Sequence, residues 1–212
     1  MPDDARADAA NATQRATAFF YDDTAANFAG SGPRGKHPHV VCQRLTAPLS
    51  TQQLQQALAV FEQGKDPLPV FFFDFDGTLT LADGFLQMQG GSLERLFGQA
   101  ERRRALQRLL APLLEAQQVY VLTANPVLHR VEEALNALLT QGGAQGRTLR
   151  ARFVMNETVR FVAKGDKLRE IAAVLEARGL TLVPPARVAA RGPAVSSPAK
   201  PPVAARPPAR LP

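Results

Sequence analysis

Short, unbroken apolar runs alternate along this chain with stretches in which apolar residues recur every three or four positions. The runs read as strands covered on both faces, and the stretches as amphipathic helices. Leu68 to Phe73 is the strongest run, continuously apolar, rich in phenylalanine and short. Ala16 to Tyr21 is another, ending in Asp22-Asp23. Val40-Val41-Cys42 is a third, and Val119 to Leu122 a fourth, ending at Thr123. Residues 152–162 hold a further strand region that could also form a hairpin. Ser50 predicts a helix cap, with Leu54, Leu58 and Phe61 on one face of a helix running to about Gln63 and Gly64 as its stop. Ser92 to Gln117 carries leucines at helical spacing, with Gly98 and Pro112 expected to break or kink it. Asn125-Pro126 predicts the start of a helix reaching about Leu139. Asp166 to Arg178 predicts an amphipathic helix with Leu168, Ile171, Ala172 and Leu175 inside and Gly179 at its end.

Strands alternating with helices imply an α/β domain with a parallel sheet. In such sheets ligands bind beyond the carboxyl ends of the strands. Asp22, Asp74 and Thr123 all fall at expected strand C-termini, so pattern and chemistry select the same edge. The expected organisation is a disordered segment over 1–14, one domain over 15–180 and a disordered tail over 181–212. Gly30 to Pro38, the stretch with Gly84 and Gly90-Gly91, and Gly142 to Gly146 read as loops or linkers.

Composition adds little until its distribution is considered. The chain has 212 residues and a formal charge of +6. Residues 181–212 contain Arg187, Arg191, Lys200, Arg206 and Arg210 and no acid, so the basic character belongs mainly to the tail. Nine prolines among its last 30 residues keep the tail from packing a core. A solvated tail is the favoured reading, although nucleic acid or another anionic partner could be touched through it. Arg102-Arg103-Arg104 reads as a solvated helix face. Trp is absent and Tyr occurs twice, which argues against a base-stacking platform. One cysteine, Cys42, excludes an internal disulfide and reads as a small core residue. No signal peptide and no apolar run long enough to span a membrane is found, so a cytoplasmic location is the default expectation.

The chemistry starts at Asp74-Phe-Asp76-Gly77-Thr78. Two acids one residue apart, just past a buried strand, can approach one centre. Carboxylates that close repel each other and call for a cation or a shared proton. Hard oxygen ligands suit Mg²⁺. Gly77 permits a sharp turn, and Thr78 offers a hydroxyl and an amide to an anion.

Phe-Asp74-Phe-Asp76-Gly77-Thr78-Leu79-Thr80 resembles the first motif of the haloacid dehalogenase-like (HAD) phosphohydrolases. The resemblance implies that Asp74 is the nucleophile and Asp76 the general acid and base. Both would help to hold Mg²⁺, Asp76 through its backbone carbonyl. Val-Tyr-Val-Leu-Thr123 resembles the second motif, which implies that Thr123 binds the phosphoryl group. Lys164-Gly165-Asp-Lys167-Leu168 resembles the third, favouring Lys164 as the balancing cation with Lys167 as its competitor. The fourth motif, an acidic pair after the lysine helix, has no counterpart downstream. Phe19-Phe20-Tyr21-Asp22-Asp23-Thr-Ala-Ala-Asn27 resembles it instead, upstream of the first. This order implies a circular permutation, in which Asp22, supported by Asp23, completes the metal shell. The fold implied is a Rossmann-like three-layer sandwich whose five-stranded sheet has the family order 5-4-1-2-3, so that the fourth strand lies beside the first. The intervals between motifs leave no room for a large cap. The expected activity is Mg²⁺-dependent hydrolysis of a phosphate monoester, with a phosphorylated macromolecule favoured as substrate. The competing reading is a catalytically inactive HAD-like fragment or binding protein with a basic tail.

Overall fold

In the computed structural model, the residues described are 14–29, 37, 39–81, 92–141 and 151–184. The expectations for residues 1–13, most of Gly30 to Pro38, the loop with Gly84 and Gly90-Gly91, residues 142–146 and the tail from 185 lie outside them. The described residues form an α/β fold with an open sheet in which every ladder is parallel. Its strands are β1 (Arg15–Asp22), β2 (Val40–Arg44), β3 (Leu68–Phe73), β4 (Val119–Thr123), β5 (Val159–Phe161) and β6 (Thr181–Leu182). The helices are α1 (Thr51–Gln63), α2 (Leu93–Phe97), α3 (Ala100–Glu115), α4 (Leu128–Thr140) and α5 (Lys167–Ala177). The sheet order is β2-β1-β3-β4-β5, with β6 paired to β1.

Alternate residues of β3 explain the three layers. Phe71 and Phe73 face a core shared with Leu54 of α1, Phe97 of α2, Leu106 to Leu114 of α3 and Leu135 of α4. Val70 and Phe72 face the opposite core, built with Leu168, Ile171 and Val174 of α5. A strand buried on both sides needs no polar alternation, which is why Leu68–Phe73 reads as a continuous apolar run. Crossovers stepping toward β5, through α1, α3 and α4, lie on the first face. The crossover stepping back, from β5 to β6 through α5, lies on the second. All therefore share one hand, as parallel crossovers almost always do.

Local signals set most boundaries. Ser50 and Gln53 form a reciprocal capping box on α1, which stops at Gly64. Gly98, at φ 87°, separates α2 from α3. Pro112 lies inside α3, which runs on through it, so only one of the two expected breaks occurs. Asn125 does not cap α4 directly. It accepts a hydrogen bond from Val127 N (3.0 Å), making a local turn that delays the helix to Leu128. The expected strand region at 152–162 contracts to β5, preceded by a turn with Asn156 at φ 65°. Just past the domain edge expected at 180, Thr181 and Leu182 pair with Arg15 and Ala16 of β1. Val183 N then donates to Ala16 O at 2.8 Å. Among the described residues, no helix is long and apolar enough to cross a membrane.

Candidate functional site

β1 and β3 lie side by side, yet the chain leaves them in opposite directions, from β1 toward β2 and from β3 toward β4. That is a topological switch point, where diverging connections open a crevice at the strand ends. The β1–β3 register runs from Ala16 opposite Leu68 to Tyr21 opposite Phe73. Carried one residue further, it sets Asp22 against Asp74. The Asp74 amide donates to Tyr21 O at 2.9 Å, holding the two strand ends together past the last ladder pair.

Lys167, the first residue of α5, closes this pair. Its Nζ donates to Asp22 Oδ2 at 2.7 Å and to Asp74 Oδ1 at 2.5 Å. All three side chains are inside: Lys167 is 1%, Asp22 0% and Asp74 6% exposed. Burial pushes the Asp74 carboxyl up to about 7, with the Asp22 charge adding to the rise and Lys167 opposing it. Asp22 is held further by the Thr24 amide on Oδ1 (2.7 Å) and by Asn27 Nδ2 on Oδ2 (2.8 Å). Asn27 also accepts from the Gly165 amide at 2.8 Å, tying the turn after β1 to the loop before α5. Gly165 can make that turn because it sits at φ 89°.

Oxygens of Asp22, Asp23 and Asp74 lie within 4.8 Å of one another. Three carboxyl groups share one ammonium in a largely buried crevice, so acid outnumbers base there. This acidic cluster could hold a metal ion, and its all-oxygen donor set fits a hard divalent cation.

Beyond Asp74 the chain makes one wide turn, Phe75–Leu79, closed by Thr80 N donating to Phe75 O at 3.0 Å. The turn departs from helical geometry at Asp76 and at Gly77, whose φ of 69° favours glycine. Thr80 braces it from within: its Oγ1 donates to Phe75 O (3.1 Å) and accepts from the Gly77 amide (3.2 Å). Asp76 lies half-buried on this turn, and its carboxylate is not one of the three clustered acids. The Thr78 hydroxyl is buried with no hydrogen-bond partner among the described residues. Thr123, fully buried at the end of β4, accepts from the Asn125 amide at 3.0 Å.

Two groups of basic residues sit differently from what the sequence favoured. Lys164 is exposed, and Lys167, its competitor in the sequence, is the buried cation. Gly165 reverses the chain between them, so only the lysine on α5 points at the acids. Its position was readable: Lys167 falls on the same helical stripe as Leu168, Ile171, Val174 and Leu175, where a lysine needs a buried partner. Arg102-Arg103-Arg104 is also not a uniformly solvated face. Arg104 is exposed, but Arg103 donates to Gly98 O (2.6 Å) and Arg102 turns inward.

Neither a protein-family model, nor a curated protein, nor a solved structure matches the chain.

Proposed function

We propose that this chain is a Mg²⁺-dependent phosphohydrolase of HAD-like type, with its fourth-motif strand placed ahead of its first. One observation carries the reading: Asp22 and Asp74, fifty-two residues apart in sequence, meet at adjacent strand ends and share Lys167. In this reading Asp74 attacks phosphorus in line and forms an aspartyl-phosphate. Asp76 protonates the leaving oxygen and then activates the water that hydrolyses the intermediate. Lys167, taking the role expected of Lys164, offsets charge on the phosphoryl oxygens, and Thr123 and the Gly77-Thr78 backbone contribute donors. The Thr78 hydroxyl, which has no partner among the described residues, is a further donor for the same group. Asp22, Asp23 and Asp74, with the Asp76 carbonyl, would hold Mg²⁺. When bound, the ion would screen the approach of an anionic phosphate to a carboxylate nucleophile. The substrate class that best suits a chain without a large cap is a phosphorylated macromolecule.

The test is hydrolysis of p-nitrophenyl phosphate by the purified chain with Mg²⁺ and with EDTA. Activity should require Mg²⁺ and disappear in Asp74→Asn. Turnover that persists in that variant would sink the assignment. Absence of turnover in the wild-type chain with Mg²⁺ would favour the non-catalytic binding protein.

A further inference from the structure

We propose that Arg102 is a positioning residue, which holds the Phe75–Leu79 turn in its working shape by gathering four backbone carbonyls onto one guanidinium. Its Nε donates to Leu49 O at 2.9 Å. Nη1 donates to Leu79 O at 3.0 Å and to Phe97 O at 2.7 Å. Nη2 donates to Thr78 O at 3.3 Å. These acceptors come from three segments: the residue before the Ser50 cap of α1, the turn itself, and the last residue of α2. No acidic side chain is among them, so carbonyl dipoles solvate the charge. Burial pulls the guanidinium down to about 10, which leaves it protonated at neutral pH.

The turn needs such a clamp because it is not a helix. Phe75 O is satisfied inside the turn, by Thr80. Thr78 O and Leu79 O receive their hydrogen bonds from outside it, from Arg102 and, for Thr78, also from Leu49 N at 3.1 Å. Peptide planes are rigid, so fixing these carbonyls orients the Thr78–Leu79 and Leu79–Thr80 planes, and Thr80 in turn holds the Gly77 amide and Phe75 O. A lysine would keep the charge but could not span three segments with a single nitrogen. The catalytic part of this inference rests on the phosphohydrolase reading; the structural part does not.

Two measurements separate them, both on the full chain. In hydrogen exchange without metal, Arg102→Lys should speed exchange of the Gly77, Thr80 and Leu81 amides by about tenfold or more. The amides of β1 and β4 should keep their wild-type rates, and Arg104→Lys should resemble wild type throughout. Unchanged protection of the turn, or a rise shared equally by the central strands, would overturn the proposal. In turnover, Arg102→Lys should lower kcat about tenfold with KM within about twofold. Arg102→Ala should regain part of its kcat in millimolar guanidinium, which should not accelerate the wild type. Wild-type kcat in Arg102→Lys also counts against the proposal. If the wild type turns over nothing, the phosphohydrolase reading fails alone and hydrogen exchange still decides the clamp. Arg102→Gln repeats the comparison if the lysine variant does not fold; failure of both to fold argues against a positioning role.

Discussion

Asp74→Asn should stabilise the metal-free protein at neutral and alkaline pH, although it removes the proposed nucleophile. Asp74 ordinarily titrates near 3.8, and in the folded chain burial pushes it up to about 7. Below about pH 4 the carboxyl is protonated in both states and costs nothing. As pH rises, the unfolded chain gives up this proton first, so the folded state loses ground until its own carboxyl ionises near pH 7. Above that the deficit is constant. About three pH units at 1.36 kcal/mol each set a ceiling of about 4 kcal/mol. Relaxation and water entry at the crevice reduce this to roughly 2 kcal/mol. Asparagine has almost the same shape, can still accept from Lys167, and leaves the Lys167–Asp22 ion pair neutral overall.

The assay is urea unfolding of wild type and Asp74→Asn in EDTA at intervals from pH 4 to 8.5. The variant's advantage should be near zero at pH 4, grow through pH 7 and then level off. Taking the difference between the two proteins cancels every titrating group that does not interact with Asp74. Parallel curves, or a variant less stable than wild type at pH 8, would refute the claim that burial dominates the environment of Asp74. Adding Mg²⁺ should raise wild-type stability by about 2.7 kcal/mol at a hundred times its dissociation constant, and the variant's by much less.

Other substitutions probe the neighbours. Lys167→Met should cost about 3–5 kcal/mol in EDTA, since it leaves the buried Asp22 carboxylate without its ammonium partner, and Mg²⁺ should recover part of that; Lys164→Ala should stay within about 0.5 kcal/mol of wild type in the same urea titration. Asn27→Ala removes the bridge between Asp22 and Gly165, and should cost about 1–3 kcal/mol while weakening Mg²⁺ binding measured by calorimetry. Thr78→Val should leave the unliganded protein as stable as wild type or stabler by about 1 kcal/mol, because it removes a buried hydroxyl without a partner; a loss of more than that would show the hydroxyl to be satisfied in solution.

β1, β3 and β4 were legible because burial on both faces leaves a plain signature, and Leu68–Phe73 is read to the residue. Asp22, Asp74 and Thr123 were legible through their place at strand ends. What escaped depends on chain direction over a few residues. Lys164 and Lys167 stand on opposite sides of Gly165, and the reversal at φ 89° is not written in the Lys-Gly spacing; only the apolar stripe of α5 marks Lys167. Asn125-Pro126 looks like a helix start, yet the Asn125 side chain is used two residues early, on Val127. Arg102 was hidden for another reason. Three successive arginines on a helix point in three directions, and which one turns inward depends on carbonyls brought from Leu49, Thr78 and Phe97. Neighbourhoods assembled from distant segments leave no local pattern.

The same reasoning explains why the acidic pair after β1 lies beside Asp74, fifty residues later. Sheet position depends on where crossovers return the chain, not on the order in which strands are made. After β2 the chain must pass back over β1 to reach β3, and α1 is the element that makes this crossing. Its capping box fixes the helix start immediately after Leu49, whose amide donates to Thr78 O and whose carbonyl accepts from Arg102. The crossover that makes β1 and β3 neighbours therefore also braces the turn that follows Asp74. Weakening the α1 cap, by Ser50→Ala, should reach the site through Leu49 as well as through the helix. The amides of Gly77 and Thr80 should then exchange faster than those at the far end of α1. If the loss stays within α1, the brace is carried by Arg102 alone.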